Sequence, residues 1–282
     1  MALLSRALPR AAHRACARVA RHARAAAPRR AQASAASAGS QAFAVSVAGE
    51  KGTESFRLFY EDGAGKRVSP WHDIPLYPAG KENPEVLSFI CEIPKETKAK
   101  MEVATDELAT PIKQDTKKGK LRDYPYNIHW NYGMLPQTWE DPSHKNEATG
   151  VLGDNDPMDV VEIGDVTCDM GGVYDVKPLG VLAMIDDGEI DWKLLAVRLD
   201  DPKAAACGSL EEVEAAFPGQ MDAIREWFRD YKVPDGKPQN AFGLDEKWMP
   251  KDYAMDIIAE TAGFYDDLMS GKTPNTKELS LE

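Results

Sequence analysis

Between residues 41 and 200 the hydrophobic positions fall in short alternating or β-branched runs cut by Gly, Pro and Asp, the pattern of antiparallel strands. The runs at 56–60, 86–93, 100–104, 158–163, 177–184 and 192–199 predict six strands. Asp62-Gly63 and Asp187-Gly188 predict tight turns, because glycine tolerates the positive φ such turns demand. After Asp200 the apolar period lengthens to that of a helix. Ser209 is placed to cap a helix over 210–217, a second is expected over 219–231, and a third runs from Pro250 to about residue 270, closed by Gly271. Strands first and helices later predict an α+β fold, and this number of short strands suits a small closed barrel or sandwich with helices on one side. The polar residues 271–282 are expected to form a flexible, frayed tail.

The N-terminal segment follows different rules. Eight arginines, no lysine and no acidic residue occur before Glu50, among abundant alanine and serine. Residues 1–45 therefore read as a cleavable organelle transit peptide, for a plastid or a mitochondrion, with the folded domain at 46–270. A basic arm that binds nucleic acid or an anionic membrane is the competing explanation. The whole chain of 282 residues carries a formal charge of −12, and removal of the eight arginines takes it to −20. That charge argues against nucleic acid as a partner, and the absence of any long apolar run argues against a membrane span. An anionic substrate would need cations or basic side chains to invert the local potential. Cys91, Cys168 and Cys207 show no paired spacing and are expected to be reduced, buried thiols.

The most pointed chemistry lies in Gly153-Asp154-Asn155-Asp156-Pro157-Met158-Asp159-Val160, three carboxylates in six residues before an apolar strand. Such crowding is tolerated when a hard cation neutralises it, and oxygen-only ligands favour Mg²⁺ or Mn²⁺ over zinc. A solvated acidic turn would have the same sequence. An EF-hand is excluded, since the sixth loop position is Asp159 and not Gly. A second acidic group, Asp186 to Asp191, sits in a predicted hairpin and could bring Asp186 and Asp191 to the same end of a barrel as Asp154 and Asp159. Basic residues cluster at Lys98 and Lys100, at Lys117 to Arg122, and at Lys232 and Lys237. Gly63 to Arg67 lacks the leading glycine and the Ser/Thr of a phosphate loop, so no nucleotide site is assigned there.

Six segments in one order, EIPKETKAKMEV, PIKQDTKKGKLR, NYGMLPQTWEDP, GDNDPMDVVEIG, DDGEIDWKLLAV and WFRDYKVPDGKPQNAF, together resemble the soluble inorganic pyrophosphatases of family I in their eukaryotic, organellar form. The resemblance implies a five-stranded closed OB-type β-barrel with C-terminal helices packed on its side. It implies Mg²⁺-dependent hydrolysis of pyrophosphate to two orthophosphates by direct attack of a metal-activated water, with Mn²⁺ able to substitute. It further implies Asp154, Asp159 and Asp191 as principal metal ligands, Asp186 and Glu92 as ligands to further metals, and Glu102 as an organiser of metal-bound water. Asp156 resembles the carboxylate that takes the proton from the attacking water. Lys100, Arg122, Tyr132, Lys193, Tyr231 and Lys232 resemble the groups that hold the two phosphates.

Two departures from the family pattern stand out. Ile128 occupies the position of a tyrosine, four residues before Tyr132, that is often called a proton donor, and either Tyr124 or Tyr126 could replace it. Lys95-Glu96 replaces an aromatic at the dimer contact of the fungal form, so a monomer is expected rather than that homodimer. The chloroplast stroma is the expected compartment, with the mitochondrial matrix as the alternative. Two other functions fit the residues alone: a metal-dependent phosphatase or nuclease on another phosphoester, and an OB-type nucleic-acid-binding module.

Overall fold

In Arg57–Glu61 (β2) every second side chain is buried, Leu58 and Tyr60 facing inward, as alternation requires of a strand with one wet face. The computed structural model describes residues 43–282. β2 belongs to a small antiparallel sheet with Ala44–Ala48 (β1), Arg67–Val68 (β3), Met101–Val103 (β5) and Ile112–Gln114 (β6). Thr116–Lys117 (β7) and Lys120–Leu121 (β8) form a separate hairpin.

The larger sheet contains Leu87–Ile93 (β4), Asn131–Met134 (β9), Leu152–Gly153 (β10), Asp159–Glu162 (β11), Val173–Asp186 (β12), Glu189–Arg198 (β13), Ala241–Phe242 (β14) and Met249–Pro250 (β15). β4 is buried at all seven positions, so its apolar residues do not alternate with exposed ones, and Ser88 and Glu92 are buried with them. Pairing runs from β13 to β11, β9, β4 and β12, and β12 pairs back with β13. β9 passes so close to β4 that a Cβ at Gly133 would lie 1.9 Å from the Ile90 carbonyl oxygen, so glycine is required there. A register shift between Cys91 and Ile93 puts Glu92 at an irregularity in β4, a device that re-aims a side chain.

Three helices follow the strands: Leu210–Ala216 (α1), Gln220–Asp230 (α2) and Lys251–Met269 (α3). The Glu212 amide donates to Ser209 Oγ at 3.3 Å, the expected cap. α3 lies on β12 through Ala254, Ile257, Ile258 and their neighbours. Gly271 adopts φ 74° and its amide donates to the Leu268 carbonyl, closing the helix as expected.

Several sequence expectations shift. The β12–β13 turn is a two-residue one with Asp187 at φ 50° and Gly188 at φ 95°, but at the first hairpin the positive φ belongs to Gly65, not Gly63. There Asp62 Oδ1 accepts from the Ala64 and Lys66 amides and lengthens the turn. The tail expected to fray is tied down: Leu279 is 6% exposed, the Ser280 amide donates to the Thr105 carbonyl at 2.7 Å, and the Ala109 amide donates to the Glu282 carbonyl. One apolar side chain and backbone pairing outweigh the polar composition that suggested flexibility. The segment expected to be a transit peptide, residues 1–45, lies outside the described residues except at its end, where residues 44 and 45 belong to β1. Cys91, Cys168 and Cys207 are free and buried, and no helix among the described residues is long and apolar enough to cross a membrane.

Candidate active site

The acidic loop Asp154 to Asp159 connects β10 to β11. Asn155 adopts φ 76°, a left-handed conformation that asparagine tolerates better than most residues, and the Asp156 amide folds back to Asp154 Oδ1 at 3.0 Å. Asp159 opens β11, in parallel register with Lys193 on β13. Two residues earlier on β13 is Asp191, opposite Met184, and Asp186 ends β12 at the same turn. The hairpin thus delivers Asp186 and Asp191 to the loop that carries Asp154 and Asp159.

These groups surround a cavity of about 220 Å³. Every residue to which the family resemblance gives a role lines it: Asp154, Asp156, Asp159, Asp186, Asp191, Glu92, Glu102, Lys100, Arg122, Tyr132, Lys193, Tyr231 and Lys232. Among the described residues no three His, Cys or acidic side chains converge on a single metal-holding point, because lysines are interleaved with the carboxylates. Lys193 Nζ donates to Asp159 Oδ2 at 2.5 Å, to Asp191 Oδ1 and to Tyr132 Oη at 2.9 Å. Lys232 Nζ pairs with Asp186 and lies 3.1 Å from Asp187, while Tyr231 Oη donates to Asp186 Oδ2 at 2.9 Å. Tyr132 Oη also donates to Asp159 at 2.5 Å. Lys100 reaches Glu102 at 2.5 Å and Asp115 at 3.4 Å, and Arg122 is held by Asp115 at 2.9 Å.

Electrostatics make the crowding explicit. Burial, then the charges of Asp191 and Asp156, push the Asp154 carboxyl well above the carboxylate range. Burial and Glu102 bring Asp156 up to about 7, against the opposing pull of Lys100. Asp191 rises to about 8 through burial and Asp159, despite Lys193. Glu92, whose Oε1 accepts the Val103 amide at 2.7 Å, is raised by burial and Asp159. Burial alone would lower Lys193, yet Asp159 and Asp191 carry it well above its ordinary value. An all-oxygen set of carboxylates suits a hard divalent cation.

The basic runs divide. From Lys117 to Arg122 only Arg122 reaches the cavity, while Lys117 is spent on Asp235 at 2.7 Å and Lys237 on Asp187 at 2.5 Å. The two tyrosines near Ile128 also separate. Tyr124 is 5% exposed, lines the cavity and meets Trp227 and Tyr231 edge-on, while Tyr126 is 56% exposed and lies outside it. Ile128 itself is in the apolar core.

Sequence reasoning did not single out Asp115, Phe228 or Glu140. Asp115 carried a signal, since Lys118 and Gly119 suit a hairpin turn that folds Asp115 back beside Arg122, with the Arg122 amide donating to the Asp115 carbonyl. Phe228, 5.1 Å from Lys193 Nζ, carried none.

A family model described as inorganic pyrophosphatase matches residues 89–266, the stretch that builds this cavity. The chain belongs to the family I soluble inorganic pyrophosphatases. It is 60% identical over 246 residues to soluble inorganic pyrophosphatase 1, chloroplastic, of Chlamydomonas reinhardtii, covering 87% of this chain and 86% of the relative. Soluble inorganic pyrophosphatase 6, chloroplastic, of Arabidopsis thaliana is 63% identical over 227 residues, 80% of this chain and 74% of that one. The crystal structure of an N-terminally truncated vacuolar soluble pyrophosphatase from Trypanosoma cruzi in complex with PPi superposes with a TM-score of 0.77 at 40% identity, covering 88% of this chain and 100% of that chain. Among pyrophosphatases, the mixture of acidic and basic side chains around one cavity has a ready meaning: one set suits cations and the other suits the anion they accompany.

Proposed function

We propose that this chain hydrolyses inorganic pyrophosphate to two orthophosphates with Mg²⁺, and Mn²⁺ as a substitute. The observation that carries this reading is the single cavity in which Asp154, Asp156, Asp159, Asp186 and Asp191 face Lys100, Arg122, Tyr231 and Lys232. Asp154, Asp159 and Asp191 hold the principal cations, Asp186 and Glu92 further ones, and Glu102 orders solvent beside Lys100. When bound, such cations supply charge neutralisation and acidify water at neutral pH.

The chain's own side chains do the rest. Asp156, held up to about 7 by burial and Glu102, is matched to removing a proton near neutral pH. Arg122 offers a planar fork to phosphate oxygens, with Asp115 fixing its orientation at 2.9 Å. Lys193, Lys232 and Lys100 stabilise the charge of the leaving phosphate from positions already fixed by carboxylates. Tyr132 and Tyr231 orient substrate oxygens. Tyr124 takes the role of the family tyrosine replaced by Ile128, supported by its place in the cavity wall.

The pairing circuit through β12, β13, β11, β9 and β4 supports a closed five-stranded OB-type barrel as the scaffold. The protein works as a monomer, with Lys95 donating to its own Gly164 carbonyl and Glu96 pairing with its own His129. The chloroplastic relatives and the arginine-rich leader support a plastid, with the stroma as the compartment.

Phosphate release by the purified chain is the test, measured from pyrophosphate with Mg²⁺, with a chelator, and with ATP in its place. Rapid Mg²⁺-dependent release from pyrophosphate and little from ATP is expected. Release from ATP at a comparable rate would replace this reading with a general phosphohydrolase.

A further inference from the structure

Glu140 is 3% exposed and makes no ion pair with a lysine or arginine among the described residues. A carboxyl buried on those terms is costly unless its oxygens are used. Both are used on one group: the Trp192 amide donates to Oε1 at 3.1 Å and to Oε2 at 3.3 Å. That amide sits in a gap of the sheet. β13 pairs with β10 as far as Ile190 and begins to pair with β11 at Lys193, so Trp192 faces neither strand on that edge. The Glu140 carboxylate fills the gap, between Asp191 on one side and Lys193 on the other.

The backbone of the same residue holds the acidic loop. The Glu140 amide donates to the Asp156 carbonyl at 2.9 Å, and the Asn155 amide donates to the Glu140 carbonyl at 2.9 Å. At the loop's entrance, a Cβ on Gly153 would lie 2.5 Å from the Glu140 carbonyl carbon and oxygen, so the two segments touch. One residue therefore ties Asp154 to Asp156 on one side and Asp191 to Lys193 on the other.

We propose that Glu140 is a positioning residue that fixes the distance between the Asp154–Asp156 carboxylates and Asp191, so that a divalent cation meets its ligands already spaced. This rests on the reading of the cavity as a pyrophosphatase metal centre. It acts through the Trp192 amide and touches neither cation nor substrate. Outer-shell partners of this kind typically affect metal affinity by about 10- to 100-fold.

The test is Mg²⁺ binding to the whole chain by calorimetry without substrate, alongside the Mg²⁺ dependence of turnover and the thermal midpoint of metal-free protein. Glu140→Ala removes the acceptor and should weaken Mg²⁺ binding about 10- to 100-fold, with turnover largely restored at high Mg²⁺. Glu140→Gln keeps an oxygen for the Trp192 amide and should bind Mg²⁺ within about threefold of wild type, well inside that range. If Glu140→Ala fails to fold, Glu140→Asp, one methylene shorter, should weaken Mg²⁺ binding in the same direction. Wild-type Mg²⁺ affinity in a variant that only melts earlier would overturn the proposal, as would a Gln variant as impaired as Ala. Absence of Mg²⁺ binding by the wild type would instead overturn the metal-centre reading itself.

Discussion

Lys193 Nζ lies 2.5 Å from Asp159 Oδ2 with only 2% of the lysine side chain exposed, and the two residues stand in register on parallel strands. A buried ammonium needs a partner, and the parallel register places that partner among the carboxylates proposed as cation ligands. Asp159 therefore has two tasks, and its loss removes both. Asp159→Ala should abolish pyrophosphate hydrolysis, and excess Mg²⁺ should fail to restore it, because Lys193 then stands uncompensated beside the site. Recovery of turnover by raising Mg²⁺ alone would place Asp159 outside the metal set.

Asp156 lines the same cavity as that ion pair and is poised near neutrality, at about 7. Asp156→Asn keeps shape and most hydrogen bonding but removes the proton acceptor. Turnover should fall roughly 100-fold or more while Mg²⁺ affinity and thermal midpoint stay near wild type. Near-normal steady-state turnover would take the general-base role away from Asp156.

Arg122 is fixed by Asp115 with its remaining guanidinium face on the cavity. Arg122→Lys preserves charge but loses the planar fork, so KM for pyrophosphate should rise by about tenfold, on the scale of one charge-assisted hydrogen bond. Unchanged kinetics would show that Arg122 does not touch substrate.

The two candidate replacements for the missing tyrosine are separated by position. Tyr124→Phe should lower turnover while Tyr126→Phe leaves it unchanged, because only Tyr124 reaches the cavity. The size of the effect for a positioned proton donor is roughly 10²-fold or more. Equal, wild-type activity of both variants would mean that no tyrosine fills the place of Ile128.

The strained carboxylates also set a pH dependence. Asp156 at about 7 and Asp191 at about 8 keep their protons when folded and free of cations, at pH values where the unfolded chain has lost them. The folded state thus binds more protons, and its stability falls as pH rises from the ordinary carboxylate range through about 8. Metal-free protein should melt progressively earlier across that window. Mg²⁺ should flatten the trend and release protons on binding, with apparent affinity strengthening as pH rises. Calorimetry in buffers of different ionisation enthalpy measures the proton release, and none at neutral pH would contradict the raised values.

The sequence by itself determined the type of the strongly patterned elements, because period-two and helical patterns are local: the observed bounds of β4, β11 and α3 differ from the expected ones by a residue or so, while β1, β6 and β9 were not among the expected strands. It also named most of the acidic and basic groups that line the cavity, Lys113 and Asp106 being the ones it passed over. What it left out depends on contacts between distant segments. Composition made the last twelve residues look free, yet Leu279 is buried and Ser280 bonds Thr105 and His72, more than 170 residues away. Nothing in the local sequence distinguished Tyr124 from Tyr126, and only packing against Trp227 and Tyr231 turned one inward. Glu140 looked like one more acid in WEDP until the sheet put an unpaired Trp192 amide beside it. Residue types fix which chemistry is available, while the tertiary structure decides which buried charge meets which partner, because that depends on register and burial across strands rather than on neighbours in the chain.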